Sequence, residues 1–571
     1  MKADDQLWHY ARIADAPAAV ARLRRFILDL AVRGKLVRQE PSDEPASELL
    51  RRIAAVKARM LKASELRTSK LQSRLSKTPF AIAPTWEWTQ LAEIGLISPR
   101  NEASDTSLAS FVPMTLIATQ YGVEHEHQVR PWGEIKKGYT HFATGDVGLA
   151  KITPCFENGK STVFRSLTGG IGSGTTELHI VRPLLVSANY VLLFLKCPHF
   201  IQTGIPRMTG TAGQKRVPAD HFALAPFPLP PLAEQHRIVA KVDELMALCD
   251  RLEAARAERE AARDRLAAAS LARLNTPDPE TFHDDAHFAL AALPAASTRP
   301  DQIKQLRQTI LNLAVRGKLV PQDPNDEAAF VLLKRIAVER TKLAEDGKAK
   351  RLKALPEPDL DQAPFDLPLG WAWARFPELG QFGRGKSKHR PRNDSILFEG
   401  GSHRLIQTGD VARSQGSIKT YTNKYNEVGL AQSFKWPAGT MCITIAANIA
   451  DSGILSFDAC FPDSVVGFRP ASFFENARYF EYFIRTAKES LLEFAPATAQ
   501  KNINLEILIS VLIPLPPLNE QRRIVAKVDE LMTLCDQLEA SLSISEDHRR
   551  RLLEALLQQA LQPAGTLAAA A

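Results

Sequence analysis

One segment of the sequence has the residue types of a phosphate-binding loop. Residues 380–387 read GQFGRGKS, which fits the G-x-x-x-x-G-K-S pattern whose backbone amides and lysine hold nucleotide phosphates. That loop needs a helix beginning at the Lys-Ser pair, but Pro391 follows four residues after Ser387 and no apolar periodicity accompanies it. No convincing acidic strand of the Walker B type is found. The sequence therefore favours a basic loop over a nucleotide site, with a solvated run of charge as the other alternative.

Other residues that could do chemistry are isolated. His125 and His127 could share one face of a strand, with His141 nearby, but no matching set of metal ligands follows. The sequence Glu134-Ile-Lys136 lacks the upstream acidic partner of a nuclease, and no Asn-Pro-Pro-aromatic tetrapeptide of DNA adenine methyltransferases occurs. The six cysteines form no C-x-x-C pair, so reduced, buried thiols are expected. We predict neither a metal site nor a self-contained nuclease or methyltransferase.

The sequence blocks that flank these residues occur twice in the chain. Residues 23–37 (LRRFILDLAVRGKLV) and 306–320 (LRQTILNLAVRGKLV) share 12 of 15 identities, at an offset of 283. Residues 228–254 and 514–540 share 23 of 27 identities around the core PLPPL-x-EQ-x-RIVAKVDEL, at an offset of 286. Two copies at this period indicate a duplicated domain pair rather than a solenoid.

Each copy holds an insert of nearly equal length between its repeated blocks. The inserts open with Trp-x-Trp pairs that lie 142 and 143 residues before PLPPL, Trp86/Trp88 and Trp371/Trp373. Their interiors share little identity apart from a Gln-Lys pair at residues 214–215 and 500–501. We therefore predict that both inserts have the same fold but different sequences, with the tryptophans as core anchors. The glycines of residues 169–174 fit no dinucleotide motif and predict a hairpin turn.

Apolar residues after each PLPPL block are spaced 4-3-4-3, which is typical of a coiled-coil seam. The main seam positions, predicted to form a scaffold, are Ile238, Val242, Leu245 and Leu252 in the first copy and Ile524, Val528, Leu531 and Leu538 in the second. Ala-, Arg- and Glu-rich stretches extend these helices to about residues 274 and 561, or about 60 Å each. Shorter amphipathic helices end at Gly34 and Gly317 as left-handed caps. Residues 276–300 are predicted to be a linker.

Composition excludes several classes of protein. The chain has 571 residues, 45% of them hydrophobic and 24% charged, as in ordinary globular proteins. Its first residues, MKADD, carry acids where a signal peptide carries bases, and no apolar run approaches the ~20 residues of a membrane span. A cytoplasmic protein without membrane contact is expected. The net charge is +8, and residues 22–77 hold fifteen Lys and Arg against six Asp and Glu, which favours a polyanionic partner.

The long, doubled and ordered blocks resemble the DNA-specificity subunit of type I restriction-modification enzymes over nearly the whole chain. Residues 151–160, KITPCFENGK, are similar to a KITPxxENGK stretch of many target-recognition domains, whereas the second insert has MCITIAAN at residues 441–448. The resemblance implies an α+β fold with two globular target-recognition domains separated by long antiparallel conserved helices, and a pseudo-twofold internal duplication. It also implies a non-catalytic chain without cofactors, because the methyl donor and ATP belong to partner subunits.

The resemblance further implies the partners and the division of the chain. The partners are double-stranded DNA, two methyltransferase subunits docked on the conserved helices through the seam region, and restriction subunits that bind through the methyltransferase core. The implied parts are an N-terminal helical region, a first recognition domain, a central helical region, a second recognition domain and a C-terminal spacer helix, at residues 1–80, 81–227, 228–365, 366–513 and 514–571. Independently of the resemblance, two equal-sized, dissimilar domains on long helices suit an asymmetric bipartite DNA site with half-sites ~34 Å or more apart.

Positively charged residues in the inserts are the candidates for DNA contact. In the first insert they are Lys151, Lys160, Arg207, Lys215 and Arg216. In the second they are Arg384, Lys386, Lys388, Arg390 and Arg392, together with Lys501 and Asn502. The cations of residues 383–392 alternate with small or polar residues, which places most of them on one side, and glycine lets the backbone approach a phosphate.

Two other functions are weighed against this one. An enzyme with its own nuclease or nucleotide-hydrolysing activity is disfavoured because the catalytic residue sets are missing. A structural adaptor without DNA recognition is disfavoured because both inserts carry basic loops. The sequence therefore favours a DNA-reading subunit that acts with a partner methyltransferase.

Overall fold

The computed structural model describes residues 16, 18–62, 78–211, 213–275, 281–345, 363–446, 449–493 and 503–561. The chain divides into two compact units. The first unit consists of residues 1–259 and 546–571, and the second of residues 260–545. Each unit therefore contains one insert together with helices from both copies of the repeat.

In the first unit, short strands alternate with helices along the insert. The helices are α1 (Ala19–Val32), α2 (Ala46–Lys62), α3 (Leu91–Ile94), α4 (Trp132–Ile135), α5 (Ala188–Lys196), α6 (Pro198–Gly204), α7 (Ala219–Leu224) and α8 (Leu232–Asn275), whose last residues belong to the second unit. The strands are β1 (Glu87–Thr89), β2 (Gly95–Ile97), β3 (Leu108–Val112), β4 (Gln128–Pro131), β5 (Thr140–Ala143), β6 (Val147–Ala150), β7 (Ser161–Val163), β8 (Ile171–Gly174), β9 (Leu178–Pro183) and β10 (Phe227–Leu229).

The second unit follows the same plan. Its helices are α9 (Phe282–Ala296), α10 (Pro300–Val315), α11 (Ala329–Glu345), α12 (Phe376–Leu379), α13 (Thr408–Ala412), α14 (Glu427–Ala431), α15 (Arg478–Glu493), α16 (Leu505–Ser510) and α17 (Leu518–Leu561), which ends in the first unit. Its strands are β11 (Ala372–Ala374), β12 (Gly380–Arg384), β13 (His403–Leu405), β14 (Gly416–Ile418), β15 (Asn423–Tyr425), β16 (Lys435–Trp436), β17 (Met441–Thr444), β18 (Ser452–Leu455), β19 (Ala459–Cys460), β20 (Val465–Pro470) and β21 (Ile513–Leu515).

The sheets of the two inserts have matching strand orders. The first insert has the orders β2-β9-β6-β7 and β4-β3-β8-β5, and the second has β12-β20-β17-β18-β14 and β15-β13-β19-β16. The central pairs β3–β8 and β13–β19 are both parallel, and β14 is an added strand parallel to β18. Strand β1 pairs with β10, and β11 with β21. The prediction that the two inserts share one fold despite their different sequences is confirmed.

The two long helices confirm the periodicity argument. Helices α8 and α17 each contain 44 residues, or about 66 Å at 1.5 Å per residue. Strands β9 and β20 occupy equivalent central places in the two inserts, and the aromatic-rich helices α5 and α15 follow β9 and β20 in the chain. The chain thus has two sheet-rich domains with the long helix α8 between them in sequence. The antiparallel pairing of α8 with α17 stays a prediction.

The seam residues are buried inside each unit. Ile238 and Val242 are fully buried in the hydrophobic core of the first unit, which also includes Ile27 and Ala31 of α1. The second unit repeats this burial at Ile524 and Val528, while the remaining seam leucines, Leu245, Leu252, Leu531 and Leu538, are half-buried. This burial suits a scaffold. Partner docking at the seam stays a prediction, and the four fully buried side chains could contribute to it only through the shape of the helices.

Two local predictions are corrected. Residues 276–300 contain helix α9, because the Ala-rich run favours a helix, Asp285 lies in its first turn, and Arg273 of α8 pairs with Asp285 at 3.1 Å. The glycines of residues 169–174 do not turn a hairpin, because Gly172 and Gly174 lie inside β8. A Cβ atom on Gly172 would come within 2.5 Å of the Ser110 carbonyl oxygen, so glycine allows β8 to approach β3.

Candidate nucleic-acid interface

The first tryptophan of each insert joins that insert to the repeated block. The Trp86 indole Nε1 donates to Glu234 Oε2 at 2.9 Å, and Trp371 Nε1 donates to Glu520 Oε2 at 3.0 Å. Both tryptophans are buried, as the prediction of core anchors requires. Burial also raises the pKa of both carboxyl groups, and the indole N–H groups oppose that rise. The glutamates belong to the doubled PLPPL-x-EQ block, and this pairing was missed although both partners occur twice in the sequence.

The glycine caps of α1 and α10 provide space for these rings. Gly34 and Gly317 have φ values of +67° and +66°, which confirms the left-handed caps. A Cβ atom on Gly34 would lie 3.2 Å from the Trp86 ring, and one on Gly317 would lie 2.9 Å from the Trp371 ring. The Gly of the AVRGKLV block and the Trp of the insert therefore form one contact in each unit.

The basic loop of residues 383–392 begins as a strand and does not lead into a helix. Strand β12 ends at Arg384, and the next helical turn is a 3₁₀ turn at Ser395–Leu397. Gly385 lies directly against the carbonyl oxygen of Phe461, where a side chain would collide. Because no helix begins at Lys386-Ser387, the phosphate-loop interpretation is excluded, as the sequence indicated.

Two side chains of the segment after α14 hold this loop in place. Gln432 Oε1 accepts hydrogen bonds from the backbone N–H groups of Lys388, at 2.6 Å, and His389, at 3.1 Å. Ser433 Oγ donates to the carbonyl oxygen of Lys386 at 2.9 Å. Exposed and buried positions alternate from residue 384 to 388, with the cations exposed and residues 385 and 387 buried. The predicted alternation of the cations is therefore confirmed in this stretch.

The five cations of the loop differ in their partners. Arg392 donates two hydrogen bonds from one nitrogen to Asp463, at 2.6 and 2.8 Å, and Arg390 lies 3.9 Å from the same carboxylate. The Lys386 ammonium lies 5.9 Å from the Phe434 ring centre. Within the described residues, the side chains of Arg384 and Lys388 contact no carboxylate. Arg384, Lys386 and Lys388 are thus the most available cations, and Asp463 was missed because it lies 71 residues from Arg392.

Backbone pairing brings three of the first insert's candidates together. The Thr153 N–H donates to the Lys215 carbonyl at 2.9 Å, and the Val217 N–H donates to the Lys151 carbonyl at 2.8 Å. Lys151, Lys215 and Arg216 therefore lie on adjacent segments. The second insert has the same bond two residues after its Gln-Lys pair, from the Ile503 N–H to the Ile445 carbonyl at 3.0 Å.

Arg216 is held by a carboxylate. Its guanidinium donates to both oxygens of Glu177, at 2.9 and 2.8 Å, and these bonds lower the pKa of Glu177. Lys215 and Arg207 are exposed, whereas Lys151 and Lys160 are half-buried. Arg207 and Lys160 lie outside the 151–153 and 215–217 pairing. Lys501 and Asn502 lie outside the described residues.

A buried lysine that the sequence did not single out supports the KITPCFENGK segment. Lys196 Nζ donates to the carbonyl oxygens of Thr119, at 2.9 Å, and Gly159, at 3.1 Å. Only 7% of the residue is exposed, and burial lowers the pKa of its amine to about 7. Its place at the end of an otherwise aromatic and aliphatic helix gave no signal of this role.

Two of the three histidines considered for a metal, His125 and His141, make backbone contacts, and His127 Nε2 lies 3.4 Å from Thr168 Oγ1. His125 Nε2 accepts from the Arg165 N–H at 3.0 Å, and His141 Nδ1 accepts from the Asn101 N–H at 3.3 Å. In the described part of the chain, no group of three or more His, Cys, Asp or Glu side chains is placed to hold a metal ion. Among the same residues, none of the helices combines the length and apolarity that crossing a membrane requires.

Comparison with known proteins agrees with these features. The family model for the type I restriction modification DNA specificity domain matches residues 372–545. The specificity subunits of the Escherichia coli type I restriction enzymes EcoAI and EcoEI are each 37% identical to this chain, over 562 and 575 residues, with 95% of this chain and 94% of each relative covered. The crystal structure of an HsdS subunit from Thermoanaerobacter tengcongensis is 21% identical in sequence, with a TM-score of 0.48. The match covers 85% of this chain and 99% of the HsdS chain. The chain belongs to the family of type I restriction enzyme specificity subunits.

Proposed function

We propose that this chain, a DNA specificity subunit and not a catalyst, reads a bipartite double-stranded target through two independent domains, residues 81–227 and 366–513. The observation that carries the proposal is the contrast between the inserts. They share strand order and the tryptophan–glutamate anchor, but they carry different charged side chains. A shared fold that carries different surface charges suits two domains that each recognise one half-site. Residues 1–80, 228–365 and 514–571 are the frame in this proposal.

Phosphate contacts in the second domain come from Arg384, Lys386 and Lys388, which are exposed and have no carboxylate partner among the described residues. In the first domain they come from Lys215 and Arg207, which are exposed, with Lys151 and Lys160 close to the sheet. Lys501 and Asn502 remain candidates from their sequence position. Such contacts set affinity and orientation, while side chains at base edges set the sequence that is read.

Exchange of one insert tests this proposal. Residues 81–227 are replaced by the corresponding insert of a relative with another target, and the methylated sequence is read by methylation-sensitive genome sequencing. One half of the target should change and the other half should stay the same. The matched control exchanges residues 366–513, which should change the opposite half. A change of both halves after either exchange would contradict independent reading.

We also propose that two methyltransferase subunits bind the repeated helices, that restriction subunits join through them, and that the chain itself holds no cofactor. Support comes from Leu248 and Leu534, which occupy equivalent positions of the two repeated blocks and are 43% and 47% exposed. Exposed leucines in the middle of long helices are suited to protein contact. Their duplication supports two equivalent docking sites.

Counting bound subunits tests the stoichiometry. Leu248→Glu and Leu534→Glu should each reduce the number of methyltransferase subunits per chain from two to one, because a charge replaces an apolar contact. Native mass spectrometry of the purified complex measures this number. Ile544→Glu is the control, since Ile544 is 58% exposed but its counterpart in the first copy is Glu258. Two bound subunits in both single variants would contradict the proposed sites.

A further inference from the structure

Arg404 lies against two aromatic rings on the second sheet of the second insert. Its guanidinium carbon is 4.7 Å from the Phe457 ring centre and 5.8 Å from the Tyr421 ring centre. The two rings pack edge to face, 5.6 Å apart at 82°. Lys424, the cross-strand neighbour of Arg404, has its ammonium 5.7 Å from the Tyr421 ring. Two cations and two rings therefore form one cluster, named here the Arg404 cluster, in which Arg404, Tyr421 and Lys424 are exposed and Phe457 is half-buried.

The cations of this cluster have unused hydrogen-bond donors. Within the described residues, the side chains of Arg404 and Lys424 make no hydrogen bond or ion pair, and both residues are exposed. Arg392, by contrast, is occupied by Asp463. A guanidinium that rests its face on a ring keeps its edge N–H groups directed outward. The rings therefore restrict the conformations of Arg404 and leave its donors available.

The first insert carries a related arrangement on the equivalent strands. Arg130 of β4 lies 4.6 Å from the ring centre of Phe111 on β3, and Tyr139 packs edge to face against Phe111 at 5.0 Å. Strands β3 and β4 occupy the positions that β13 and β15 occupy in the second insert. Arg130 differs because it donates to Gln128 Oε1 at 2.8 Å. An arginine that rests on an aromatic ring thus occurs on the same pair of strands in both inserts, although Arg130 lies on the outer strand β4 and Arg404 on the inner strand β13.

We propose that Arg404 is a specificity-determining residue that reads a guanine in the half-site of the second domain, and that Lys424 contacts a neighbouring phosphate. This inference rests on the proposed function. The planar fork of an arginine matches the O6 and N7 acceptors of guanine in the major groove, and an arginine that is already oriented loses less freedom on binding. The ammonium of Lys424 lacks that fork and suits a phosphate. Double-stranded DNA, the partner in the proposed function, presents guanine acceptors and phosphates side by side along its major groove.

The test uses the complete complex with its methyltransferase subunits and the duplex that the methylated-genome map identifies. Arg404→Ala should reduce discrimination at one guanine of the second half-site by about tenfold or more, and Arg404→Lys should do the same because lysine lacks the bidentate fork. Lys424→Ala is the control. It should weaken binding to all sequences alike and make the slope of log K against log salt about 0.9 less steep. Thermal unfolding of all three variants should match that of the unmodified complex, because both side chains are exposed.

Two results would overturn the inference. Full discrimination at every base of the second half-site in Arg404→Ala would remove Arg404 from base reading. Equal weakening for all sequences would make Arg404 a phosphate contact. In either case, an exchange of residues 366–513 that still changes one half of the target leaves the proposed function standing. If that exchange changes neither half, the proposed function itself fails.

Discussion

Trp86 and Trp371 donate equivalent hydrogen bonds to Glu234 and Glu520, the matching glutamates of the two repeated blocks, whereas the cations of the two inserts have different partners. Arg216 is held by Glu177 in the first insert, and Arg392 is held by Asp463 in the second. The contacts that attach an insert to the frame are therefore separate from those that arrange its surface charge. This separation allows the recognition surface to change while the attachment is retained.

The largest expected effect tests whether the two attachments are equivalent. Trp86→Ala and Trp371→Ala should each lower the free energy of unfolding of their own unit by about 3–5 kcal/mol, because each removes a buried ring and its hydrogen bond to a glutamate. Hydrogen exchange of the full chain, followed by mass spectrometry, measures the destabilisation of each unit separately. Trp88→Ala and Trp373→Ala are the controls and should have smaller effects, since both rings are half-buried. A large destabilisation of only one unit would break the comparison.

A smaller effect should distinguish the two glycine caps. Gly34→Ala and Gly317→Ala each force alanine into the left-handed conformation, which costs about 1–2 kcal/mol. Gly317→Ala should be the more harmful, because its Cβ atom would lie 2.6 Å from Pro368 Cγ and 2.9 Å from the Trp371 ring. The nearest atom to a Cβ on Gly34 is 3.2 Å away. Hydrogen exchange followed by mass spectrometry measures the destabilisation caused by each variant. Equal destabilisation by the two variants would show that the Trp371 ring and Pro368 move to make room.

The surface charge of the second insert is tested by salt dependence. Arg384→Ala, Lys386→Ala and Lys388→Ala together should make the slope of log K against log salt less steep by up to about 2.7, at about 0.9 for each phosphate that is no longer neutralised. Association with the methyltransferase subunits should not change. The matched variant is Arg390→Ala with Arg392→Ala, which should change the slope less because Asp463 already holds these cations. An unchanged affinity for the cognate duplex in the triple variant would remove this loop from the interface.

The last comparison concerns how the stability of each unit depends on pH above neutrality. Six residues after the equivalent tyrosines Tyr190 and Tyr479, the first insert has Lys196 and the second has Arg485, which pairs with Glu481 at 2.6 Å. The pKa of Lys196 is lowered by burial from 10.5 to about 7, so above pH 7 the unfolded chain binds more protons at this site than the folded chain. The contribution of Lys196 to the free energy of unfolding therefore rises with pH from about 7 to about 10.5.

Lys196→Met should remove this rise from the first unit. The measurement is urea unfolding of the variant and the unmodified chain at several pH values, because other groups titrate in the same range and cancel in the difference. Arg485→Met is the comparison in the second unit: arginine stays protonated throughout this window, so any change in pH dependence in this variant comes from Glu481, whose pKa is raised by burial and lowered by Arg485. A difference between Lys196→Met and the unmodified chain that is constant with pH would contradict the lowered pKa.

Much of the architecture follows from the sequence because it depends on neighbours a few residues apart. The 4-3-4-3 spacing and the doubled blocks predicted α8 and α17, which end at Asn275 and Leu561. The glycine that follows Ala-Val-Arg in both copies predicted the left-handed caps, and the equal insert lengths predicted a shared fold. The alternation of cations after Gly383 predicted which side chains are exposed, since an extended chain directs successive side chains to opposite sides.

Only the tertiary structure decided which of those charges are available and where the apolar stripes are buried. Asp463 reaches Arg392 across 71 residues of sequence, and Glu177 reaches Arg216 across 39. The aromatic partner Phe457 lies 53 residues after Arg404. Ile238 and its equivalents satisfy a seam pattern, yet they are buried in the core of their own units. Local sequence specifies a side chain's type and its face on an element, but its partners depend on which distant segments the sheets bring together.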